Sequence, residues 1–335
     1  MSADLPVWDA LKFGYLPTDV VYGVEGDAEA DPPWAEGGVA AEHELRLPVA
    51  AAALSYGTGI IEGLKAERSA DGRVLLFRLA DHAARFFRSA ERMLLLPFPE
   101  ERFVAAVKQL VRANARFIPP AGHGTFYVRP LEFAIEPMLG LRQGRRFMVT
   151  LYGCPVGDLG HGAVGALKVL DIPRSSKGGT AEAKAIVNYG GVLLHRERAR
   201  REGFDDVLFT GAGAVQETTG TNVFCRLHSG ELVTPRLDGR FLGGITRDSV
   251  LHLARAEGLE VDERELRVQE ILDHGQELFC TGTATGVRNV ARLVHKDREK
   301  TFTQGELGET LGQRLSAIRA GSVPDPFGWT DEVSL

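Results

Sequence analysis

The chain has 335 residues, of which 44% are hydrophobic and 25% are charged, and this composition is typical of a globular protein. At roughly 150 residues per domain, the length predicts two domains. The formal net charge of −6 gives no electrostatic reason to expect nucleic acid or an anionic membrane as a partner.

The cysteines, the histidines and the N-terminus exclude further classes. Cys154, Cys225 and Cys280 form no Cys-x-x-Cys pair, and the nine histidines form no His-x-x-x-His pair, so neither a disulfide framework nor a metal site is predicted. The chain does not begin with a basic segment and an apolar run, and no apolar stretch approaches the roughly 20 residues that span a bilayer. We therefore expect a cytoplasmic protein.

Hydrophobic periodicity predicts two helices and three strands in the first half of the chain, after an irregular arm rich in Asp, Glu, Pro and Gly. Asp81 is the predicted N-cap of the first helix, because its carboxylate can accept a hydrogen bond from a backbone N–H of the first turn. The segments are the arm over 1–45, strands over 73–78, 124–135 and 146–154, and helices over 81–95 and 100–115.

The second half of the chain is predicted to hold four helices and a series of short strands. Gly258 is predicted to end the helix before it, because glycine readily adopts the left-handed conformation found after helices. Helices are predicted over 188–201, 246–258, 268–274 and 305–319, and strands over 166–170, 206–210, 214–217, 222–227, 231–234 and 277–280.

A glycine-rich segment from Pro155 to Gly162 lies between two predicted strands and is the best candidate for a linker. We therefore divide the chain into an N-terminal domain over 1–155, a linker over 156–164 and a C-terminal domain over 165–335.

Lys184 is the central candidate for chemistry. It lies among small residues in the stretch from Lys177 to Tyr189, just before a predicted helix, so its amine can face a cleft without crowding. A neutral amine condenses with an aldehyde, and nearby cations or burial favour that neutral form. A lysine considered by itself is more often a solvated surface residue, so other segments have to supply the rest of a Schiff-base site.

Two segments have the donors that a phosphate needs. Two glycines stand directly before the helix that begins near Ile245 and Thr246. The backbone amides of Ile245 and Thr246 and the Thr246 hydroxyl can therefore point at an anion. Thr281-Gly-Thr-Ala284 follows a strand and offers more donors. Glu217, at a strand end, can keep a pyridine nitrogen protonated. Each feature alone is more often a helix cap, a turn or a surface carboxylate. The two donor segments together support an anion site about as strongly as they support a cap and a turn.

Gly211-Ala-Gly-Ala214 resembles half of a dinucleotide-binding fingerprint. It lacks a third glycine at the required spacing, so a hairpin turn is the better interpretation. A nucleotide-binding oxidoreductase and a non-catalytic interaction protein remain the alternatives from other functional classes.

Taken in chain order, these segments resemble the branched-chain-amino-acid aminotransferases, members of the fold-type IV class of pyridoxal phosphate enzymes. The similarity extends from about Phe13 to Trp329, and the order and coverage of the motifs carry it. The motifs are Tyr56-Gly-Thr, Glu62-Gly-Leu-Lys-Ala66, Tyr127-Val-Arg-Pro130, Glu136-Pro-Met-Leu-Gly140, Lys177-Gly-Gly-Thr180, Lys184, Asn188-Tyr189, Gly244-Ile-Thr-Arg247, Gly282-Thr-Ala284 and Asp325-Pro-Phe-Gly-Trp329.

The resemblance implies an α+β fold of two domains, a smaller N-terminal α/β domain and a larger C-terminal domain resembling a β-barrel, in a homodimer. It implies that Lys184 binds pyridoxal 5′-phosphate as a Schiff base and moves the substrate proton. It assigns the ring nitrogen to Glu217 and the phenolic oxygen to Tyr189. The implied phosphate ligands are Arg85, Ile245, Thr246 and Thr283, and the implied substrate-side residues are Tyr56 from the partner subunit, Tyr127, Arg129 and Ala284.

The implied reaction is ping-pong transamination of L-leucine, L-isoleucine and L-valine with 2-oxoglutarate. Small-molecule substrates are the expected partners, without nucleic acid or membrane. Ile61 replaces an aromatic residue that is frequent in the family, and Ile186 and Val187 replace small residues. Within the same fold, the alternatives are a D-amino-acid or amine transaminase and an aminodeoxychorismate-lyase-like enzyme.

Overall fold

The computed structural model describes residues 4–41, 43–157, 164–303 and 305–335, which form two compact units. The first unit takes its described residues from Met1–Leu159, Ala183–Val187 and Ala317–Leu335, and the second from Gly160–Glu182 and Asn188–Ser316. Within the described ranges, every helix is too short or too polar to cross a membrane.

Strands and helices follow one another along the described chain. The strands are β1 (Val21–Asp27), β2 (Gly38–Ala40), β3 (Gly59–Ile61), β4 (Leu64–Arg68), β5 (Val74–Phe77), β6 (Thr125–Ala134), β7 (Arg146–Val156), β8 (Val164–Leu170), β9 (Asp206–Gly211), β10 (Ala214–Thr218), β11 (Asn222–Leu227), β12 (Leu232–Pro235), β13 (Val261–Arg264), β14 (Gly275–Gly282), β15 (Gly286–His295), β16 (Arg298–Thr301) and β17 (Thr330–Val333). The helices are α1 (Ala52–Tyr56), α2 (Leu79–Arg92), α3 (Glu100–Ala113), α4 (Val187–Arg201), α5 (Ile245–Ala256), α6 (Val268–His274) and α7 (Glu306–Arg319).

The first unit is built on an antiparallel sheet of eight strands in the order β17-β5-β4-β6-β7-β1-β2, with β3 also paired to β6. β3 and β4 follow one register along β6, from Gly59 opposite Phe133 to Leu64 opposite Val128. Successive side chains of a strand point to opposite faces of its sheet. Leu64 and Val128 therefore lie on the core face, while Tyr127 lies on the other face.

The core of the first unit includes residues of this sheet and of helices α2 and α3. Phe86 of α2 and Phe103 of α3 are fully buried, with ring centroids 5.0 Å apart. Burying a side chain of this size contributes about 1.5–3 kcal/mol. Apolar burial therefore fixes α2, which also carries Arg85, in the first unit.

The second unit is built on a mixed sheet of nine strands in the order β10-β9-β8-β15-β14-β11-β12-β13, with β16 paired to β15. β8 runs parallel to β9 and β15, and β12 runs parallel to β13. Its core includes Val223 and Leu278 from the strands and Ile271 from α6. The sheet brings the ends of β10, β11 and β14 close together, and Glu217, Thr283 and Ala284 lie at these ends.

Most predicted elements are confirmed within about two residues, and the predicted helix 268–274 and strand 222–227 match α6 and β11. Gly258 follows α5 with a φ of 76°, as expected where a chain leaves a helix. The Asp81 N-cap is wrong, because Arg78 occupies that position with a φ of 52°. Asp81 lies in the first turn of α2 and binds Arg78 Nε at 2.7 Å.

The two units differ from the predicted domains at their boundaries. The predicted C-terminal domain includes Ala317–Leu335, but this segment belongs to the first unit, where β17 pairs with β5 and Arg319 binds Glu67. Ala183–Val187 also belongs to the first unit. Of the predicted linker over 156–164, the ends lie in β7 and β8, while 158–163 are outside the described residues.

Candidate active site

Lys184 lies on a short segment that extends the first sheet beyond the edge of β3. Ala185 forms a bridge with Ile60, the backbone N–H of Ile61 donates to Lys184 O at 2.9 Å, and Ile186 N–H donates to Gly59 O at 2.9 Å. Ala185 is fully buried at this bridge. The sheet therefore fixes the backbone of Lys184 and leaves its side chain half-buried.

Helix α2 holds the same segment from another side. The backbone N–H of Lys184 donates to Ser89 Oγ at 3.1 Å. Ser89 is itself buried. The lysine backbone is thus hydrogen-bonded through both its carbonyl oxygen and its N–H, and this limits its possible positions in the unit.

Arg85 lies on α2 in a fully buried cluster with Glu62 and His82. Arg85 Nε donates to Glu62 Oε1 at 2.6 Å, and Nη2 donates to Oε2 at 3.0 Å. His82 Nδ1 lies 2.8 Å from Glu62 Oε2. Burial raises the pKa of Glu62, but the charge of Arg85 and the contact with His82 outweigh it and hold that pKa well below its usual range. Glu62 is therefore ionised, and burial lowers the pKa of His82 so that its ring is neutral.

Tyr127 and Arg129 lie on the face of β6 opposite the core. Arg129 Nη2 donates to the Tyr127 hydroxyl at 3.0 Å, and its guanidinium carbon is 5.3 Å from the centre of that ring. A side chain at Gly63 would overlap the Tyr127 hydroxyl. The chain arm adds Phe13, whose ring centroid is 5.3 Å from that of Tyr127. Tyr56 lies elsewhere in the unit, where its hydroxyl accepts the Gly140 N–H at 2.8 Å.

In the second unit, Glu217 at the end of β10 binds Arg174, and both side chains are about 95% buried, with 4% and 5% of their surfaces exposed. Arg174 Nη2 also donates to Thr219 O at 3.1 Å, and its guanidinium carbon is 5.8 Å from the ring centre of Tyr189. Arg174 therefore joins two residues that the sequence predicts for one site. The sequence did not reveal Arg174 itself, because it stands 43 positions before Glu217 in an irregular segment.

The N-terminus of α5 lies beside the ends of β11 and β14. Asn222 Nδ2 donates to Leu242 O at 2.9 Å, just before the helix. Thr281 stands opposite Asn222 in the β11–β14 pair, so both side chains share a face. The buried Thr281 hydroxyl has no hydrogen-bond partner among the described residues. An unpaired hydroxyl near the positive end of a helix is suited to an anion.

The predicted phosphate ligands of this unit converge there. Ile245 and Thr246 are the first two residues of α5, and Thr283 lies with Ala284 in the turn between β14 and β15. A side chain at Gly282 would contact the turn that follows Glu217. One end of the second sheet therefore carries Glu217 and the anion donors. Among the described residues, no cluster of His, Cys, Asp and Glu is arranged to hold a metal.

A model of the family described as Amino-transferase class IV matches residues 59–293 of the chain, which is more than half of its length. The match includes Lys184, Arg85, Glu217, Thr246 and Thr283. The chain belongs to the class IV aminotransferases. The predicted family is thereby confirmed.

Two plant proteins are similar to this aminotransferase over nearly its whole length. Branched-chain amino acid aminotransferase 1, mitochondrial, of Humulus lupulus is 35% identical over 97% of this chain and 84% of its own. Methionine aminotransferase BCAT4 of Arabidopsis thaliana is 38% identical over 97% of this chain and 93% of its own.

Solved structures of branched-chain aminotransferases share the fold of this aminotransferase. The enzyme from the archaeon Thermoproteus uzoniensis, with norvaline, has a TM-score of 0.80 and 28% identity, covering 88% of this chain and 97% of that chain. The T.th. enzyme complexed with N-(5′-phosphopyridoxyl)-L-glutamate has a TM-score of 0.74 and 26% identity, covering 93% of this chain and 99% of that chain. The predicted fold-type IV aminotransferase fold is confirmed.

Proposed function

We propose that this protein is a pyridoxal-phosphate-dependent aminotransferase that exchanges the amino group between leucine, isoleucine or valine and 2-oxoglutarate. The placement of Lys184 on the edge of β3, in a chain of this family, carries the proposal. The similar branched-chain aminotransferases from hop and from an archaeon support the substrate class. The similar enzyme complexed with a phosphopyridoxyl-glutamate supports the cofactor and the second substrate.

The side chains present fit this cofactor. When bound, it supplies an aldehyde that takes up the amino group and a ring that accepts electrons. Lys184 Nζ would bind the aldehyde and would carry the proton that leaves the substrate Cα. Glu217 would hold the proton on the ring nitrogen, and Tyr189 would donate to the phenolic oxygen. The phosphate ligands would be the amides of Ile245 and Thr246, the hydroxyls of Thr246 and Thr283, and Arg85, because a dianion is best held by helix N-terminal amides and a guanidinium.

Arg129 and Tyr127 are proposed to contact two kinds of substrate. The Arg129 guanidinium pairs with the distal carboxylate of glutamate. The roles proposed for the aromatic ring of Tyr127 and for Ala284 are apolar contacts with a branched side chain. The proposal assigns Tyr56 to the same pocket through the partner subunit.

Reduction with borohydride tests the chemistry directly. The holoenzyme treated with borohydride and digested should yield one peptide with a pyridoxyl group on Lys184. A Lys184→Ala variant should lose transamination of leucine altogether. An unmodified Lys184, or leucine turnover by the variant, would overturn the proposal.

Methionine is a second candidate substrate, because the similar Arabidopsis protein is a methionine aminotransferase. A panel of L-leucine, L-isoleucine, L-valine, L-methionine and D-alanine with 2-oxoglutarate separates the possibilities by kcat/KM. The highest value is expected for a branched substrate. A higher value for methionine would favour the second candidate, and turnover of D-alanine alone would favour a D-amino-acid transaminase.

We further propose a homodimer. Three apolar side chains of the first unit are almost fully exposed, Val49 at 94%, Leu139 at 98% and Leu141 at 86%. Their two segments are joined by the Ala51–Pro137 bridge, so they form a patch that a second copy of the chain would cover. Replacing Leu139 and Leu141 by Asp should give monomers by light scattering, while Leu237→Asp, at an exposed site in the second unit, should leave the dimer intact.

A cytoplasmic location is a separate proposal. The three cysteines are all buried free thiols, which is common in proteins of reducing compartments. Cell fractionation with the tagged full chain tests it, and recovery with an organelle or a membrane would contradict it.

A further inference from the structure

Helix α2 carries three polar side chains on one face. His82, Arg85 and Ser89 are spaced by three and four residues, so they lie above one another along the helix. Ser89 binds the backbone of Lys184, while His82 and Arg85 bind Glu62. This face of α2 therefore contacts both Ala183–Val187, here called the lysine segment, and the carboxylate of Glu62, which lies between β3 and β4.

Glu62 completes a closed ring of contacts. It directly follows Ile61, whose N–H donates to Lys184 O at 2.9 Å. Lys184 is linked through Ser89 to α2, α2 is linked through Arg85 to Glu62, and the chain returns from Glu62 to Ile61. Such a ring restrains the distance between the backbone of Lys184 and the guanidinium of Arg85, because neither can shift without breaking one of its hydrogen bonds.

The geometry at Glu62 is bidentate. Its two oxygens accept from Nε and Nη2 of Arg85 at 2.6 and 3.0 Å, which sets the plane of the guanidinium. Oε2 also accepts the Gly63 N–H at 3.0 Å and lies 2.8 Å from His82 Nδ1. All of these polar groups are buried, so the carboxylate has its charge balanced and its lone pairs occupied.

We propose that Glu62 is a positioning residue that holds Arg85 at a set distance from Lys184, so that the protein selects an aldehyde that also carries a phosphate. The proposal rests on the function proposed above. Glu62 itself does not touch the ligand. It acts on the phosphate end of the ligand through the orientation of Arg85, and the aldehyde end depends on Lys184.

The apoprotein of the full chain provides the test, with pyridoxal 5′-phosphate and pyridoxal as probes. The measured quantity is the ratio of the two dissociation constants. Glu62→Gln removes the charge that orients Arg85 and keeps the side-chain size. We expect it to lower the preference for the phosphorylated probe by about 10- to 100-fold, as for a misplaced binding group, while the affinity for pyridoxal stays within about three-fold.

Glu67→Gln is the matched control. Glu67 lies on β4 of the same unit and forms another largely buried ion pair, with Arg319 Nε at 2.8 Å. Loss of this pair should lower stability without changing the ratio of the two dissociation constants. A Glu62→Asp variant retains the charge that balances Arg85, so we expect it to fold, but its carboxylate reaches less far and the preference should still fall.

Two results would overturn the inference. One is a ratio in Glu62→Gln and Glu62→Asp equal to that of the unmodified protein. The other is an equal loss of affinity for both probes, which would show that Glu62 acts on the lysine or on folding in general. The function itself would fail differently, because the unmodified protein would then form no borohydride-stable adduct on Lys184 with either probe.

Discussion

Glu132 is a fully buried carboxyl on the core face of β6, opposite Ile60 and Val149. Neither of its carboxyl oxygens has a hydrogen-bond partner in the described part of the chain. Burial raises the pKa of Glu132 well above its usual value, because the charged form would lose its hydration. The folded protein therefore keeps this proton to a higher pH than the unfolded chain does.

A Glu132→Gln substitution should alter how stability depends on pH. The unfolded chain releases this proton above about pH 4.3, so the stability of the unmodified protein falls as pH rises from there towards the raised pKa of the folded state. The glutamine side chain has no carboxyl group, so it does not titrate in this pH range. We expect its free energy of unfolding to exceed that of the unmodified protein by about 1–3 kcal/mol at pH 8, and by less at pH 5.

Urea unfolding of the apoprotein at the two pH values measures this difference. The exposed Glu101 of α3 provides the control, since Glu101→Gln should follow the unmodified protein at both pH values. A difference for Glu132→Gln that is the same at pH 5 and pH 8 would contradict the assignment of a buried protonated carboxyl.

Arg174 and Glu217 form a buried ion pair whose partners depend on each other. Arg174→Gln leaves the Glu217 carboxylate buried without this counter-charge, which we expect to cost about 3–5 kcal/mol of stability. Adding Glu217→Gln should restore a large part of that loss, because the uncompensated charge is gone. A double-mutant cycle on urea unfolding measures the coupling. Additive losses in the two single variants would show that the pair is not coupled.

The residues of the candidate site differ in how far the sequence could predict them. Lys184 is one of the motifs whose order along the chain resembles a known family, whereas Glu217 is singled out by its place at the end of a predicted strand. Arg174 stands in no such motif, and its role follows only from contacts with Glu217 and Tyr189 that folding creates. Glu62 was visible as part of a motif, but its buried pairing with Arg85 was not, because the two residues are 23 positions apart in separate elements.

Among the elements, α5 illustrates how a glycine makes room for a helix N-terminus. Gly244 stands at the N-cap, where a Cβ would overlap Oδ1 of Asn222. Gly244→Ala should displace Asn222 and the first turn of α5, at a cost of about 1–3 kcal/mol, and weaken the binding of pyridoxal 5′-phosphate. Thermal unfolding and cofactor titration measure both effects.

The control for this element is an exposed glycine with open space. Gly23 lies in β1, and a Cβ there meets no atom within 4 Å. Gly23→Ala should leave cofactor binding unchanged. Unaltered cofactor affinity in Gly244→Ala would mean that the start of α5 does not contribute to the phosphate site.

Element prediction failed mainly where tertiary pairing supplies the order. The helices were found because apolar residues recur at helical spacing, as in α3. β15 was not predicted, because polar residues such as Arg288 and Asn289 interrupt its pattern and most of its side chains are only partly buried. It becomes a strand through hydrogen bonds to β14, β8 and β16. A sequence pattern cannot report partners that lie far along the chain.

On the scale of the whole molecule, the first unit is not one continuous piece of chain. Its sheet uses β17 from the C-terminal end, and its edge at β3 is extended by the lysine segment. Trp329 and Phe77 pack edge to face at 5.6 Å, and Val333 is buried. A boundary placed near residue 155 from the glycine-rich stretch therefore misses parts of the unit that come from distant sequence.

This discontinuity predicts how fragments behave. A fragment of residues 1–157 lacks both β17 and the lysine segment, so the edges of β5 and β3 lose their partners. A shortened chain that ends at Trp329 lacks residues 330–335, which include β17, and burial of the Val333 side chain alone is worth about 1.5–3 kcal/mol. We expect the full chain to be the most stable, the shortened chain to be intermediate and the fragment to lack a cooperative transition in urea, all followed by circular dichroism. A fragment that unfolds as cooperatively as the full chain would show instead that the first unit folds from its N-terminal part alone, and that β17 and the lysine segment only attach to a finished sheet.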